Sequence, residues 1–368
     1  MLCAGGAMLS RLRAQESRED TEIAPGISLL SVATMTPNGP LRYWLVKAKK
    51  SDWQLGLEVA DSTNVLTKRN VRALATQSGA TVAVNGGFFA YGGAAVGAVK
   101  TNGEWHRLPW KTRTALAWDE KRAQIGALSG RCELIVTLQD GTFDTYNAAL
   151  NGFAYAGTHT PITNGFCILT RRFGPKIKLK TGQTAFLVRG NQIIARDLSG
   201  EISWPSDAKP TDFYVVMNGK AALDKPMLGV AWNVIFGEGE LDKFPNILGA
   251  GPLLIQKSRV KTTEIEEEFR PDVIARGPRT AVGFDSDGNT LFLVADGRQA
   301  ASVGLTIPET ALLFQSLGAV QALNLDGGSS TQLVINGQLI NTPSGYDPVN
   351  PARPREVRVT NALILKSN

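Results

Sequence analysis

The sequence predicts an α+β fold, with a mixed β-sheet core, packed helices and a strand-rich middle section. Glycine accounts for 38 of the 368 residues, above the usual ~7%, and this excess indicates many tight turns. Between about residues 95 and 245, short apolar runs are interrupted by Gly and Asn, which is typical of strands joined by turns. Helical and strand patterns are intermixed on either side of this stretch, and this favours a class that contains both.

The first third of the chain predicts two strands, a helix and a buried strand. Apolar runs between residues 41 and 59 predict the first two strands. Asp61-Ser62-Thr63 can start a helix that continues to about Gln77. The run Thr81-Val82-Ala83-Val84 then indicates a buried strand that leads directly into Asn85-Gly86-Gly87-Phe88-Phe89.

The last third predicts a hairpin, a helix and a strand. Residues 281–294 predict the hairpin because Asp287-Gly288, a strong turn signal, separates two apolar runs. Thr306-Ile307-Pro308-Glu309 is a capping box with Pro at the first helical position, so a helix is expected directly after it. A strand over residues 320–325 then ends at Asp326, and functional residues often lie at strand ends.

The chain shows no Pro- or Ser-rich linker, so residues 21–368 are predicted to form a single domain. Residues 1–20 are predicted to be a disordered leader or a truncated signal. A complete secretory signal has its basic region first, whereas here the apolar run precedes Arg11 and Arg13. A truncated signal favours export to the periplasm or the extracellular space, and a cytoplasmic location stays open.

Composition argues against several classes of protein. The net charge is +6, from 39 Lys and Arg against 33 Asp and Glu, and no basic stripe with interleaved aromatic residues indicates nucleic-acid binding. No apolar run approaches about 18 residues, so no membrane span is predicted. The spacing of Cys3, Cys132 and Cys167 excludes a disulfide framework and a cysteine zinc site, although one Cys132–Cys167 bridge stays open. Nothing indicates an oligomeric state.

The first constellation that could carry chemistry is Asp326-Gly327-Gly328-Ser329-Ser330. Consecutive glycines let backbone N–H groups converge on an anion. Ser329 and Ser330 add hydroxyl donors, and Asp326 lies at the rim. A plain tight turn is the alternative, since short glycine motifs often match by chance.

The second constellation combines Arg279 and Arg298 with Asp285 and Asp296. Both arginines can fall at the same end of the predicted hairpin, and a guanidinium fork matches the geometry of phosphate and carboxylate groups. Ordinary surface salt bridges are the alternative.

A calcium-binding loop is the alternative to the hairpin over residues 285–296. Asp285, Asp287 and Asn289 alternate as metal ligands do, but Thr290 stands where an EF-hand needs Gly. The hairpin is therefore favoured and no cofactor is predicted, while a bound calcium ion stays open.

The third constellation is Asn85-Gly86-Gly87-Phe88-Phe89, which follows the predicted buried strand. Asn85 offers a donor and an acceptor to sugar hydroxyls, the glycines permit close approach, and Phe88 can pack on a sugar face. A loop with an aromatic anchor in the core is the alternative.

Taken in chain order, these motifs and their neighbours resemble the phosphodiester glycosidase family, from about residue 40 to Leu365. Its animal member, the lysosomal uncovering enzyme, removes N-acetylglucosamine from phosphodiester-linked mannose. The resemblance rests on residues 85–89, Gly249-Ala250-Gly251-Pro252-Leu253-Leu254, residues 279–283, Asp296-Gly297-Arg298, Gly304-Leu305-Thr306 and residues 323–330. Ser329 departs from the family loop, which usually has a third Gly there. A bacterial member is expected.

The resemblance implies a hydrolase that cleaves the sugar C1–O bond of a sugar-1-phosphodiester, with an N-acetylglucosamine-type sugar expected. The phosphomonoester leaves readily, so neutralising its charge matters most. We assign Asp326 to the anomeric carbon, as nucleophile or as base for water, and Asp285 or Asp296 as the second acid. The substrate-binding set is Asn85, Gly86, Gly87, Phe88, Arg279, Thr280, Arg298, Gly327, Gly328, Ser329 and Ser330.

Two rival interpretations stay open. The first is a non-catalytic module that binds cell-envelope glycans through the same loop, because fold does not fix function. The second is a phosphodiesterase that cuts P–O instead of C–O, against which the lack of a metal-ligand cluster in the sequence argues. The partner is a phosphorylated carbohydrate or an envelope glycan in each case.

Overall fold

The computed structural model describes residues 16–90, 92–109, 111–151, 166–218, 227–237, 239–346 and 354–368. The structure is mostly β, so the predicted α+β class is wrong. The described ranges contain three α-helices, α1 (Val71–Ser78), α2 (Pro271–Ile274) and α3 (Ile307–Ser316), and short 3-10 turns at Arg171–Phe173, Leu241–Lys243 and Gly328–Ser330. Sheets bury their apolar faces mainly on one another, so few helices are needed to cover them.

Sheet I has eight antiparallel strands and carries the residues of most interest. In spatial order its strands are Ser17–Ala24, Ile27–Thr36, Gly39–Ala48, Thr290–Ala295, Arg279–Phe284, Gln321–Asn324, Leu253–Gln256 and Arg259–Val260. The sheet therefore joins the N-terminal part of the chain directly to its last third.

Sheets II and III have five antiparallel strands each. Sheet II consists of Gln338–Leu339, Leu333–Ile335, Val82–Asn85, Asn361–Ser367 and Trp53–Val59. Sheet III consists of Glu104–Arg107, Val99–Thr101, Asn246–Gly249, Arg113–Trp118 and Ala123–Leu128. Two strand pairs complete the described architecture, Lys176–Lys178 with Glu201–Ser203 and Gly345–Tyr346 with Pro354–Arg355.

Sheet IV is built from one continuous part of the chain. Its spatial order is Gln192–Leu198, Gln183–Arg189, Phe213–Asn218, Phe166–Thr170, Phe143–Leu150, Gly130–Leu138 and Met227–Phe236. The two edge strands approach each other, because the N–H of Val230 donates to the carbonyl of Asn191 at 2.8 Å. The sheet thus curls around an apolar interior that includes Leu134, Phe166 and Val215.

The main core lies between sheets I, II and III. Phe292 of sheet I packs there with Val84 and Leu363 of sheet II and Leu116 of sheet III. Helix α3 covers the opposite face of sheet I, while α1 packs on the outer face of sheet II. Sheets I and II are therefore held face to face, and their strand ends meet at a common edge.

Several predicted elements are confirmed, and one helix start is wrong. The buried strand, the hairpin and the capping box appear as expected, with Thr306 and Glu309 forming the reciprocal cap of α3. The first helix, however, begins about ten residues later than predicted. Asp61 instead accepts from the N–H of Thr63 at 2.8 Å in a local turn, and Asn70 caps α1.

The N-terminal region and the cysteines were the subject of further predictions. A strand of sheet I begins at Ser17, inside the range assigned to a leader, and residues 1–15 lie outside the described residues. In the part of the chain that is described, no helix is long and apolar enough to cross a membrane. Cys132 and Cys167 pack into cores on opposite faces of sheet IV, and no disulfide joins them.

Candidate active site

Three predicted site residues lie together at one end of sheet I, which we call the site end. Arg279 begins one strand, and Asp296 directly follows the antiparallel strand beside it. Asp326 comes two residues after Gln321–Asn324, the antiparallel neighbour on the other side. The alternation of strand direction therefore places these three residues on the same edge.

The loop of residues 326–330, called the Asp326 loop, is joined to the end of a sheet II strand. The N–H of Asp326 donates to the carbonyl of Gly86 at 3.0 Å, and Asn85 Nδ2 donates to the carbonyl of Asp326 at 2.6 Å. Asn85 Oδ1 accepts from Thr280 Oγ1 at 2.7 Å and from the N–H of Gln332 at 3.1 Å. Asn85 is fully buried, and its amide fixes the position of Asp326.

The carboxyl group of Asp326 lies in a desolvated position. Burial raises its pKa to about 7, against the smaller opposing effects of hydrogen bonds from the Ser330 side chain and the N–H of Gly327. The N–H of Gly327 donates to Asp326 Oδ1 at 2.9 Å. A carboxyl group with this pKa can both give and take a proton near neutral pH.

The Asp326 loop does not form the predicted concavity of converging N–H groups. The N–H of Gly327 is bound to Asp326, that of Gly328 donates to the carbonyl of Pro278 at 3.0 Å, and that of Ser330 donates to the carbonyl of Gly327 at 3.1 Å. Three of these donors are therefore used inside the protein. An anion at this loop depends on side-chain charge instead.

Arg279 is buried, and its guanidinium group is saturated by carbonyl oxygens. Its Nε donates to Leu305 at 2.9 Å, its Nη1 to Val273 at 2.7 Å, and its Nη2 to Ile274 at 3.1 Å and also to Ala275. Burial, followed by the nearby charge of Arg298, lowers its pKa to about 10. Arg279 therefore holds the end of α2 and the neighbouring loop in place.

Arg298 differs from Arg279 because it is exposed and free. A methyl group added at Gly328 would lie 3.2 Å from Arg298 Nη1, so the guanidinium lies directly over the Asp326 loop. Gly328 has a φ of +59° there, a conformation that favours glycine. Among the described residues, no hydrogen bond or ion pair engages the Arg298 side chain, which leaves its charge available to a ligand.

Asp296 is buried at the site end, and other residues hold its carboxylate. Asn341 Nδ2 and the N–H of Thr342 donate to its Oδ1 at 3.0 and 3.1 Å. Burial raises its pKa to about 6, and these hydrogen bonds lower it by less. Asn341 Nδ2 also donates to the carbonyl of Thr331 at 3.1 Å, so Asp296 is linked to the chain just after the Asp326 loop.

The structure does not bring Asp285 to the site end. It follows the other end of Arg279–Phe284, and six residues of strand span about 20 Å. There it accepts from the N–H of Asn289 at 2.9 Å and forms a 2.8 Å ion pair with Lys47. These contacts outweigh burial and lower its pKa. Its assignment as a second acid beside Asp326 has no geometric support.

The remaining predicted sugar-binding residues follow Asn85. The N–H groups of Gly86 and Gly87 donate to the main-chain and side-chain oxygens of Asn361, both at 3.0 Å. Phe88 is half-buried, with its ring centroid 5.6 Å from that of Phe269. Asn361 therefore fixes the position of both glycines, while Phe88 stays partly accessible to solvent.

Sequence reasoning missed the buried amides of Gln332, Asn341 and Asn361, which support the site from outside the recognised motifs. Gln332 directly precedes an apolar strand of sheet II and Asn361 is the first residue of another, and an amide at the start of an apolar strand is the signal that could have identified them. Within the described ranges, no three His, Cys, Asp or Glu side chains form a group that could hold a metal ion. The cofactor assignment stays a prediction.

Comparison with known proteins identifies relatives of the whole fold and of its parts. The family model described as phosphodiester glycosidase matches residues 144–366. A mouse N-acetylglucosamine-1-phosphodiester alpha-N-acetylglucosaminidase is 37% identical over 111 residues, which cover 29% of this chain and 21% of the enzyme. The match therefore spans about a fifth of that relative.

Two solved structures resemble most of the described architecture. A hypothetical protein from Synechocystis is 26% identical with a TM-score of 0.78, and the match covers 96% of this chain and 64% of that one. A Burkholderia pseudomallei protein described as exported is 23% identical with a TM-score of 0.69, covering 89% and 74% of the two chains. The second likeness concerns the fold alone.

Proposed function

Because the chain belongs to the phosphodiester glycosidase family, we propose that it hydrolyses the C1–O bond of a sugar-1-phosphodiester and releases free sugar and a phosphomonoester. The single observation that carries this proposal is the position of the Arg298 guanidinium over the loop that contains Asp326. A desolvated carboxyl group with a pKa of about 7 lies in a loop that an unpaired guanidinium covers. Acid–base chemistry and charge neutralisation are thus available at one place.

The two groups have separate tasks in the proposed reaction. Arg298 binds the phosphate and stabilises the negative charge that develops on it as the C1–O bond breaks. Asp326, in its ionised form, attacks the anomeric carbon or takes a proton from the attacking water. The stereochemical outcome depends on which of these two roles Asp326 has.

The other residues at the site end position these two groups. Asn85 holds the main chain of Asp326, Thr280 holds the Asn85 side chain, and Arg279 holds the segment around α2. Of the two candidate second acids, only Asp296 lies at the site end. Its carboxylate is bound by Asn341 and Thr342, so we assign it to hold the turn that presents Arg298.

The names of two relatives support proposals for the substrate and the location. The mouse relative is named for N-acetylglucosamine, so an N-acetylglucosamine-type sugar resting on the accessible part of Phe88 is proposed. The Burkholderia relative is described as exported, and export is proposed for this chain as well.

The test is hydrolysis of N-acetylglucosamine-1-phospho-methylmannoside in ¹⁸O-labelled water, with and without a chelator. Cleavage of C1–O places the label in the sugar, whereas cleavage of P–O places it in the phosphate. We expect label in the sugar, and Asp326→Asn to lower kcat about a thousandfold because it removes the proton-transfer group.

Asp285→Asn is the matched control, because Asp285 follows the opposite end of the same strand. It should leave kcat within about twofold of the parent. Label in the phosphate would establish a phosphodiesterase, and tight binding of the diester without turnover would establish a binding module. Equal losses in both variants would remove Asp326 from the mechanism.

A further inference from the structure

A second arginine, Arg107, is half-buried, and its guanidinium group has few partners. Its Nη1 donates to the carbonyl of Asn151 at 2.8 Å, and its Nε is buried without a hydrogen-bond partner. The described residues supply no other hydrogen bond and no ion pair to this guanidinium. Arg279, which is similarly desolvated, makes four bonds to carbonyl oxygens.

The charge of Arg107 is therefore not compensated. Burial lowers its pKa, and the only opposing influence is the nearby Cys167 thiol. A buried cation without a counterion is costly, because it loses hydration and gains no attraction in return. Such a group requires either water or an anion beside it.

Arg107 lines a narrow, half-open cavity with about 20 Å³ of room for the centre of a water molecule, which is enough for one small group. Polar side chains surround this cavity, and some of them are already bonded within the protein: His106 Nε2 to Thr101 Oγ1 at 2.6 Å and Asn361 Nδ2 to Thr360 Oγ1 at 3.0 Å. The polar side chains that line the cavity belong to Asn64, Thr67, His106, Arg107, Thr360 and Asn361. His106 is buried, and burial lowers its pKa to about 4, so its ring is neutral at pH 7.

Asp61 is the one carboxylate among the lining residues, and its charge is already engaged. Its Oδ1 accepts from the N–H and the hydroxyl of Thr63 at 2.8 and 2.7 Å. These hydrogen bonds from Thr63 outweigh burial and lower the pKa of Asp61, and the charge of Arg69 adds a smaller effect in the same direction. Asp61 therefore does not neutralise Arg107.

From this arrangement we propose that the cavity is a second anion site, in which Arg107 binds a small oxyanion such as a phosphate or carboxylate group. The site lies near the candidate active site but is separate from it. Asn361 lines the cavity and also accepts from the N–H groups of Gly86 and Gly87, whose segment carries the contact to Asp326. The anion is either free or a second acidic group of the substrate.

The test uses inorganic phosphate and full-length protein in which Arg298→Met has removed the guanidinium proposed to bind phosphate at the candidate active site. We expect this variant to keep one phosphate site, measured by calorimetry and by the rise of Tm with phosphate concentration. Adding Arg107→Met should weaken that binding at least tenfold. Arg131→Met is the matched control, because Arg131 pairs with Glu133 on another surface, and it should change nothing.

Replacing an uncompensated buried charge with an apolar side chain of similar size is compatible with folding, and Arg107→Lys provides a second, charge-preserving variant. Undiminished phosphate binding in the Arg298→Met/Arg107→Met double variant would overturn the proposal, as would an Arg298→Met protein that binds no phosphate. Neither readout requires turnover, so failure of the glycosidase proposal is distinguishable from failure of this one.

The Arg107→Met single variant then identifies the source of the anion. If the anion belongs to the substrate, KM rises for a diester whose aglycone carries a carboxylate and stays unchanged for the methylmannoside diester. If the anion is free, both KM values stay unchanged while phosphate binding is lost.

Discussion

The two ends of the strand Arg279–Phe284 carry similar charged groups in opposite environments. At the site end, Arg279 is buried among carbonyl oxygens and the pKa of Asp326 is raised to about 7. At the other end, which we call the hairpin end, Lys47 pairs with Asp285 at 2.8 Å and the pKa of Asp285 is lowered. The two ends contain the same types of residue, and they differ in how strongly the charged groups are desolvated and in which groups they contact.

This contrast explains why only one end is suited to catalysis. An acid that is satisfied by a cation and by backbone N–H groups stabilises the fold and has little reason to exchange a proton. An acid that is desolvated without a cation partner stays close to its titration point at neutral pH. The proposed reaction needs an acid of this desolvated kind, such as Asp326.

Replacing the cation at each end should separate the two environments most strongly. Arg279→Met removes the donor of four carbonyl oxygens, of which that of Leu305 still accepts from the N–H of Gly277, and we expect the free energy of unfolding to fall by about 4 kcal/mol. Lys47→Met removes a half-exposed ion pair and should cost at most about 1 kcal/mol. Urea unfolding at pH 7 measures both, and equal losses would mean that the two ends do not differ in this way.

The acids should show opposite pH dependence. The raised pKa of Asp326 means that the folded state loses stability as the pH rises from about 4 to about 7. Asp326→Asn removes this loss, so it should stabilise the protein by about 3 kcal/mol at pH 8 and have little effect at pH 3.

The lowered pKa of Asp285 means that its ionised form contributes stability above about pH 4, and this contribution disappears as the pH falls through the folded-state pKa. Asp285→Asn should therefore cost about 1 kcal/mol at pH 8 and less at pH 3. Thermal unfolding across this pH range measures both variants, and destabilisation of Asp326→Asn at pH 8 would contradict the assigned environment.

The smallest expected effects come from one glycine at each end. Gly328 and Gly288 both have positive φ, so Ala at either position should cost about 1 kcal/mol of stability. The added methyl group would lie 3.2 Å from Arg298 Nη1 in Gly328→Ala, and 3.4 Å from the flexible Lys50 side chain in Gly288→Ala. Only Gly328→Ala should raise KM for the diester, and a rise in both variants would indicate a general loss of order.

Short sequence motifs predicted the individual elements of the site, but they did not predict which of these elements contact one another. The capping box of α3, the hairpin and the Asp326 loop are encoded in short runs, and each appears where expected. The strand Arg279–Phe284 has six extended residues, so the structure places Asp285 at the end of the strand opposite Arg279. The bond between Asn85 and Gln332 joins residues 247 positions apart, which no local pattern indicates.

The fold class was wrong for a related reason. Short apolar runs are compatible with either buried strands or buried helices, and periodicity does not separate them. Whether such a run forms a strand or a helix depends on which other elements cover its apolar side in the folded protein. Here, sheets I, II and III cover one another, which is a property of the assembled core and not of any single run.

The order of strands in sheets I and II also dictates the order in which the protein can assemble. Strands that are synthesised early pair with strands that are synthesised late: Gly39–Ala48 with Thr290–Ala295, and Trp53–Val59 with Asn361–Ser367. The early strands therefore cannot form these pairs until the last part of the chain has been synthesised. Sheet IV uses only residues between 130 and 236 and can form while the ribosome is still working. A chain that stops before Asn361 would contain the whole Asp326 loop and still lack a strand beside Val82–Asn85.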